Sequence, residues 1–317
     1  MLNPISMTLA DVSVGAEASF ERLSVIPLTL NNPKLPMDCI TLDEALFRGD
    51  FEVTEMSEAG RVPELRVVND SDTRVLLMDG EELVGAKQNR IVNLTILVPA
   101  RATVVIPVSC VEAGRWQRQS RGFAASRYAQ YPRARAYKVA QVTQSLASVG
   151  VPRSDQQWIW NDIALKSARL SACSHTAAMS SIFDTHQGSI DAHMKAFPRA
   201  TGQCGAVFLI DRVPVGLELF DSEAIFTSLF PKVLRSYALD AIDTPRAGVP
   251  AEVGADDAKS VALNFIHTLA AAAETKSQPF PTVGLGQTVR VTDDHLAAAA
   301  LVAEERVVHL AAFELSV

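Results

Sequence analysis

The densest concentration of reactive side chains is Asp79-Gly80-Glu81-Glu82, then Gly85-Ala86-Lys87-Gln88-Asn89-Arg90, with Cys110, Glu112, Arg115 and Trp116 not far beyond. Glu81, Glu82 and Glu112 can do general acid/base work if burial lifts the pKa of one of them toward neutrality. Cys110 is the one candidate nucleophile, but it ends an apolar run, where a free cysteine is usually a small hydrophobe. Lys87, Arg90 and Arg115 can hold phosphate or ribose groups, and Asp79, Gln88, Asn89 and Trp116 complete a polar binding set. A phosphate loop is excluded. Gly80 and Gly85 have its spacing, but Ala86 stands where lysine must follow and Gln88 replaces the required hydroxyl. The competing reading is a pair of turns carrying solvated charges.

Asp184, His186, Asp191 and His193 repeat Asp-x-His at an interval of seven, which could line up ligand-type groups along a helix. Gly188 separates the pairs and no His-Glu-x-x-His pattern accompanies them, so solvated surface residues are expected and no metal site is assigned. The sequence names no cofactor.

Charge is unevenly spread along the 317 residues. Between Ala113 and Ser154 there is no acid, but there are eight bases: Arg115, Arg118, Arg121, Arg127, Arg133, Arg135, Lys138 and Arg153. With 29 bases and 36 acids in all, the remainder carries 21 bases against 36 acids, or −15. Trp116, Phe123, Tyr128, Tyr131 and Tyr137 interleave with these bases, a mixture suited to a ligand having both phosphates and a base. Equally, the window could be a loop whose arginines pair with acids of the same chain. The overall net charge of −7 opposes a long polyanion, so nucleic acid is an unfavoured partner. Uncharged runs reach only 14 residues, too short to span a bilayer, and no base precedes Arg22 to start a signal peptide. Four scattered cysteines fit reduced thiols, and a cytoplasmic location is expected.

The elements that must position these groups begin as strands: Leu23 to Leu30, Phe51 to Met56, Glu64 to Val68 and Arg74 to Met78, with a capping-box helix at Thr41-Leu-Asp-Glu44. Ile91 to Val98 and Thr103 to Val108 read as a hairpin about Pro99-Ala-Arg-Ala102. Helical spacing follows through Val139, Val142, Leu146 and Val149, ended by Gly150, and Ser154 with Gln157 opens a second helix. Strands at Ala206 to Ile210 and Val213 to Leu219 precede a helical stretch from Ser222 to Leu239 that Pro231 must kink or restart. A helix at Ala258 to Ala273 and strands near Thr288 to Val291 and Val307 to Leu315 complete the pattern. The class is α+β: an antiparallel, β-rich, sandwich-like N-terminal region, helices in the middle, and a mixed α/β C-terminal part. A single compact domain over 1–317 is expected, with a possible subdivision into a β-rich 1–113 and a helix-rich 114–317.

Strand parity sharpens the site. Val92, Leu94, Ile96 and Val98 share one face, as do Val104, Ile106 and Val108 on the returning strand. Pairing Val98 with Val104 would place Arg90 opposite Glu112, and Arg90 is expected to contact Glu112 or a neighbouring Glu81 or Glu82 at the mouth of a pocket, with Gln88 and Cys110 lining it. Slipping the register by two would keep these residues together.

The stretches Leu77 to Arg90, Ile106 to Trp116 and Pro231 to Asp240 resemble the prokaryotic domain family associated with ADP-ribosylglycohydrolase and rhodanese-phosphatase proteins. The resemblance covers most of the chain. It implies a tie to NAD-derived ADP-ribose metabolism and a ligand of the ADP-ribose kind, a small phosphorylated nucleotide, with possible association with ADP-ribose-processing enzymes. By it the polar positions are Asp79, Glu81, Glu82, Lys87, Gln88, Asn89, Arg90, Cys110, Glu112, Arg115 and Trp116, with Lys232 and Arg235 in a later helix. Binding or hydrolysis of the ligand is the first reading, the latter a hydrolase-like activity. A non-catalytic nucleotide sensor, or a partner-binding domain with a buried polar network, is the alternative.

Overall fold

The computed structural model describes residues 3–57, 63–243 and 257–315. From the amino end run α1 (Pro4–Ala10), β1 (Val12–Val14), β2 (Ala18–Phe20) and β3 (Leu23–Leu30). Next come β4 (Cys39–Thr41), α2 (Leu42–Arg48), β5 (Phe51–Glu55), β6 (Glu64–Asn69), β7 (Arg74–Leu77), β8 (Glu81–Gly85), β9 (Arg90–Val92), β10 (Ile96–Val98), β11 (Ala102–Cys110) and β12 (Phe123–Ala129). Four helices follow: α3 (Pro132–Val149), α4 (Gln156–Arg169), α5 (Ser180–Thr185) and α6 (Gln187–Ala196). The chain then forms β13 (Gly205–Ile210), β14 (Val213–Phe220), α7 (Glu223–Asp243), α8 (Ala258–Lys276), β15 (Gln278–Pro281), β16 (Gln287–Thr292), β17 (Leu296–Ala303) and β18 (Arg306–Glu314). The class is α+β.

Contacts divide the chain into two compact units. One comprises Met1–Met37, Gly188–Phe280 and Gln287–Val317, and the other Asp38–Gln187 with Pro281–Gly286. A division at 113/114 would fall between β11 and β12, two members of one sheet.

The first unit is built on a nine-stranded sheet of order β1-β3-β13-β14-β18-β17-β16-β15, with β2 also on β3. One face buries Leu217, Leu219, Val289, Val291, Ala298 and Ala300 against Ile5 and Leu9 of α1 and Phe265, Ile266 and Leu269 of α8. Asp211 and Arg212 both take left-handed φ, 52° and 68°, which makes the tight connection between β13 and β14. Pro231 neither restarts nor ends its helix: α7 runs through it for 21 residues, thirteen of them buried. That burial supplies the packing that compensates a missing amide donor.

The second unit has a six-stranded sheet of order β12-β8-β9-β11-β6-β5 and a three-stranded sheet of order β10-β7-β4. Both contribute to one core containing Val53, Leu65, Val67, Val75, Leu77, Leu83, Val92, Ile96, Ile106 and Val108, in sandwich fashion. The ends of the larger sheet curl toward each other, since a Cβ on Gly122, next to β12, would lie 3.0 Å from the Val53 carbonyl of β5. The Thr41 capping box forms as expected, with Glu44 Oε2 accepting from the Thr41 amide at 2.9 Å. Gly150, at φ 70°, closes α3. The cap of α4 is Asp155 rather than Ser154, because the Asp155 carboxylate accepts from the amides of both Gln157 and Trp158.

The expected hairpin from Ile91 to Val108 does not form. β9 and β10 are separate strands in separate sheets: β10 pairs with β7, and β11 pairs with β6 and β9. The run breaks at 93–95 because Asn93 and Thr95 are spent on tertiary hydrogen bonds. Asn93 accepts from Ser109 Oγ at 2.7 Å, and Thr95 Oγ1 accepts from the Asp79 amide at 3.1 Å. The β9–β11 register puts Val92 opposite Val108 and Arg90 opposite Cys110, a slip of two from the expected pairing.

Candidate functional site

Three neighbouring strands carry the polar cluster. Glu82 stands opposite Ile91, Leu83 opposite Arg90, and Arg90 opposite Cys110, so β8, β9 and β11 bring Glu82, Arg90 and Cys110 to one part of the sheet. Asn89, in the turn before β9, ties the cluster together. Its amide donates to Glu112 Oε2 at 3.0 Å, its Oδ1 accepts from Arg115 Nη2 at 3.0 Å, and its Nδ2 reaches Glu82 Oε1 at 3.5 Å.

The carboxylates differ sharply. Burial pushes Glu82 up to about 7, opposed by hydrogen bonds from Ser126, at 2.7 Å, and Asn89. Burial also acts on Glu112, but hydrogen bonds from Arg115, Thr176 and the Asn89 amide outweigh it and hold that carboxyl below its usual range. Its Oε2 lies 2.6 Å from Arg115 Nη2. Glu81 accepts from the Met78 amide at 2.7 Å, which fastens the turn between β7 and β8. Asp79 lies 2.5 Å from Lys138 Nζ and 3.4 Å from Arg135 Nε, both on α3 and both fully buried. The buried Asp79 is thus a charge partner inside the unit rather than a group presented to solvent.

Arg90 contradicts the expected Glu112 contact and the expected place at a pocket mouth. It has no accessible surface, and Glu112 is already taken by Arg115. Arg90 Nη1 donates to Gln88 Oε1 at 3.0 Å, the same oxygen that accepts from Cys110 Sγ at 3.1 Å. Desolvation lowers the Arg90 pKa, and burial pushes the Cys110 thiol up against the pull of that arginine. A thiol so shifted is protonated at neutral pH and a poor nucleophile. Above Arg90 sits Trp116, 47% exposed, its ring 5.8 Å from the guanidinium carbon and 5.2 Å from Lys87 Nζ.

Sequence reading missed Glu55, Ser126 and Thr176. Parity could have found Glu55: Phe51, Val53 and Glu55 share one face of β5, and the first two are in the core. Its side chain is only 7% exposed and its Oε1 is 3.9 Å from Arg90 Nη2. Ser126 and Thr176 carry no such signal.

Other expectations fare differently. Arg115, Arg127, Arg135 and Lys138 of the basic window pair with Glu112, Asp184 and Asp79, so half of that window serves the chain's own acids. It is also not a loop throughout, since β12 and α3 occupy most of it. Tyr128 and Tyr131 are buried, hydrogen-bonded to Asp184 and Asp162 respectively. Lys232 and Arg235 belong to α7 in the first unit, the former buried and the latter donating to the Pro231 carbonyl at 3.2 Å. His193 is buried rather than solvated, because its Nδ1 engages the Ser189 carbonyl at 2.9 Å and its ring meets Phe20 edge-on. Among the described residues no three His, Cys, Asp or Glu side chains converge as metal ligands, and no helix is long and apolar enough to cross a membrane.

The fold and cluster define an α+β protein with a buried carboxylate–guanidinium network roofed by an exposed indole. The chain belongs to the ARG and Rhodanese-Phosphatase-superfamily-associated Protein domain family, whose model matches residues 11–313. No curated protein and no solved structure matches it.

Proposed function

We propose that this protein binds a small phosphorylated nucleotide, ADP-ribose foremost, as a cytoplasmic component of NAD-derived ADP-ribose metabolism. The observation that carries the reading is the exposed Trp116 ring with Lys87 Nζ 5.2 Å from its centroid. An indole with a lysine beside it offers stacking to a base and charge to a phosphate. The family's link by name to ADP-ribosylglycohydrolase supports the choice of ADP-ribose among nucleotides. Arg118 and Arg121, exposed in the same β11–β12 connection, add positive potential around the ring. Thermal-shift measurement against ADP-ribose, NAD, AMP and short RNA tests it. A ligand that binds only the folded state raises its melting temperature, and ADP-ribose should do so most. No shift with any nucleotide would remove the reading.

A second reading, hydrolysis of the bound ligand, is favoured by Glu82. A carboxyl lifted to about 7 is partly protonated at neutral pH and can give a proton to a leaving oxygen. Glu82→Gln should then abolish turnover while ADP-ribose binding persists; ligand recovered intact from the wild type would leave binding alone.

A further inference from the structure

Glu82 sits where β12 breaks its register. β12 pairs with β8 through Phe123 with Gly85, Ala124 with Val84 and Ala125 with Leu83, but the next pair is Ala129 with Glu81. Ser126, Arg127 and Tyr128 therefore oppose Glu82 alone. Such a bulge re-aims side chains and takes backbone groups off the ladder. It turns the Tyr128 amide onto Ser126 Oγ at 3.2 Å, and Ser126 Oγ donates to Glu82 Oε2 at 2.7 Å. Glu82 itself has no accessible surface. The acids that face it, Glu112 and Asp184, are each paired with an arginine, Arg115 at 2.6 Å and Arg127 of β12 at 3.1 Å. On β9, Arg90 stands opposite Leu83 and donates to Gln88.

The two oxygens of the Glu82 carboxyl are not equivalent. Oε1 faces Asn89 Nδ2 at 3.5 Å. That amide cannot be reversed, because its Oδ1 accepts from Arg115 Nη2 at 3.0 Å and from the Gly85 amide at 3.3 Å, and both of those groups only donate. Oε1 therefore always meets a donor and has no place for a proton. Oε2 meets a hydroxyl, which can donate to a carboxylate and accept from a carboxylic acid. We infer that Ser126 is the positioning residue for Glu82: it keeps the transferable proton on Oε2 and reverses its own hydroxyl as that proton comes and goes. With Glu82 protonated, the two lone pairs of Ser126 Oγ accept from Oε2 and from the Tyr128 amide; with Glu82 ionised, the Ser126 hydrogen returns to Oε2. The inference deepens the hydrolysis reading and rests on it for the destination of the proton. In that reaction the Oε2–H bond breaks as an O–H bond forms on the leaving oxygen. A water then supplies hydroxide to the substrate and its remaining proton to Oε2.

The test is a titration of the Glu82 carboxyl by carbon-13 NMR in the full chain, the signal being assigned by its absence from Glu82→Gln. The wild type should titrate at about 7. In Ser126→Ala the ionised form loses a charge-assisted donor, worth more than the neutral bond lost by the protonated form, so the midpoint should rise by about half a unit or more. Ser126→Thr keeps the hydroxyl and should return the wild-type midpoint. Ser126→Cys is close in size but a weak donor, so it should rise as alanine does, and it carries the comparison if the alanine variant fails to fold. A strand merely loosened by substitution would let water reach Glu82 and lower the midpoint instead. A midpoint that stays or falls in the alanine and cysteine variants, a threonine variant that shifts with them, or a wild-type Glu82 titrating near 4.5 overturns the inference. None of these measurements needs a ligand. Absence of ADP-ribose turnover would remove the hydrolysis reading and leave Ser126 in its role, whereas turnover with an unmoved midpoint would remove Ser126 alone.

Discussion

Glu82 is the residue whose chemistry departs most clearly from its ordinary behaviour, and its pH dependence has a definite sign. Its folded pKa, about 7, lies above the ordinary value of 4.5, so the folded chain holds the proton more tightly than the unfolded chain does. The associated stability is complete below about 4.5 and is lost as pH rises through about 7. Asp221 in the first unit, raised to about 6 by burial, acts in the same direction over an overlapping range. The informative quantity is therefore a difference. Urea midpoints from pH 5 to 8 should fall less steeply for Glu82→Gln than for the wild type, and parallel curves would contradict a raised Glu82. At this scale much was legible: the residues singled out from 79 to 90 and 110 to 116 do gather around β8, β9 and β11. Their roles were not legible. Nothing in the sequence distinguishes Glu112, neutralised by Arg115, from Glu82, which has only neutral hydrogen-bond donors.

The elements bear on the site through turns and strand parity. Gly80 links β7 to β8 at φ 82°, and a Cβ there would stand 2.8 Å from Arg135 Cδ. Gly80→Ala should destabilise the protein by on the order of 1 kcal/mol or more, from backbone strain and from displacing a buried guanidinium that lies beside Asp79. A denaturant midpoint unchanged within error would show that the α3 cations tolerate displacement. Parity was a sound guide where pairing was not. Val92, Leu94, Ile96, Val98, Ile106 and Val108 do share the core, although β9 and β10 pair with different neighbours. Alternation is a local property of the strand. Partner choice was decided by Asn93 and Thr95, polar residues inside an apolar run whose hydrogen-bond partners are distant in sequence. β17 was invisible for the opposite reason. Leu-Ala-Ala-Ala-Ala-Leu-Val-Ala favours helix by propensity, yet it lies between β16 and β18, where ladder hydrogen bonds and burial on both faces override that preference.

At the scale of the whole molecule, α+β composition could be read from the order of periods along the chain, but the two units could not. The first is assembled from both ends of the sequence, with β3 pairing β13 and β14 pairing β18, and such distant registers leave no local trace. All the candidate residues except Lys232 and Arg235 fall in the second unit, Asp38–Gln187 with Pro281–Gly286, which is where the proposed ligand recognition would lie. The basic window illustrates the same partition between structure and recognition. Arg135 and Lys138 balance Asp79 inside the unit, whereas Arg118 and Arg121 remain exposed near Trp116. The most direct measurement is a calorimetric titration of ADP-ribose into the full chain and into Trp116→Ala. Saturable binding at one site per chain is predicted, weakened about tenfold or more in the variant, the range expected for one lost base–aromatic stack. No binding to the wild type, or equal affinity in the two proteins, would contradict nucleotide recognition at the Lys87–Trp116 face.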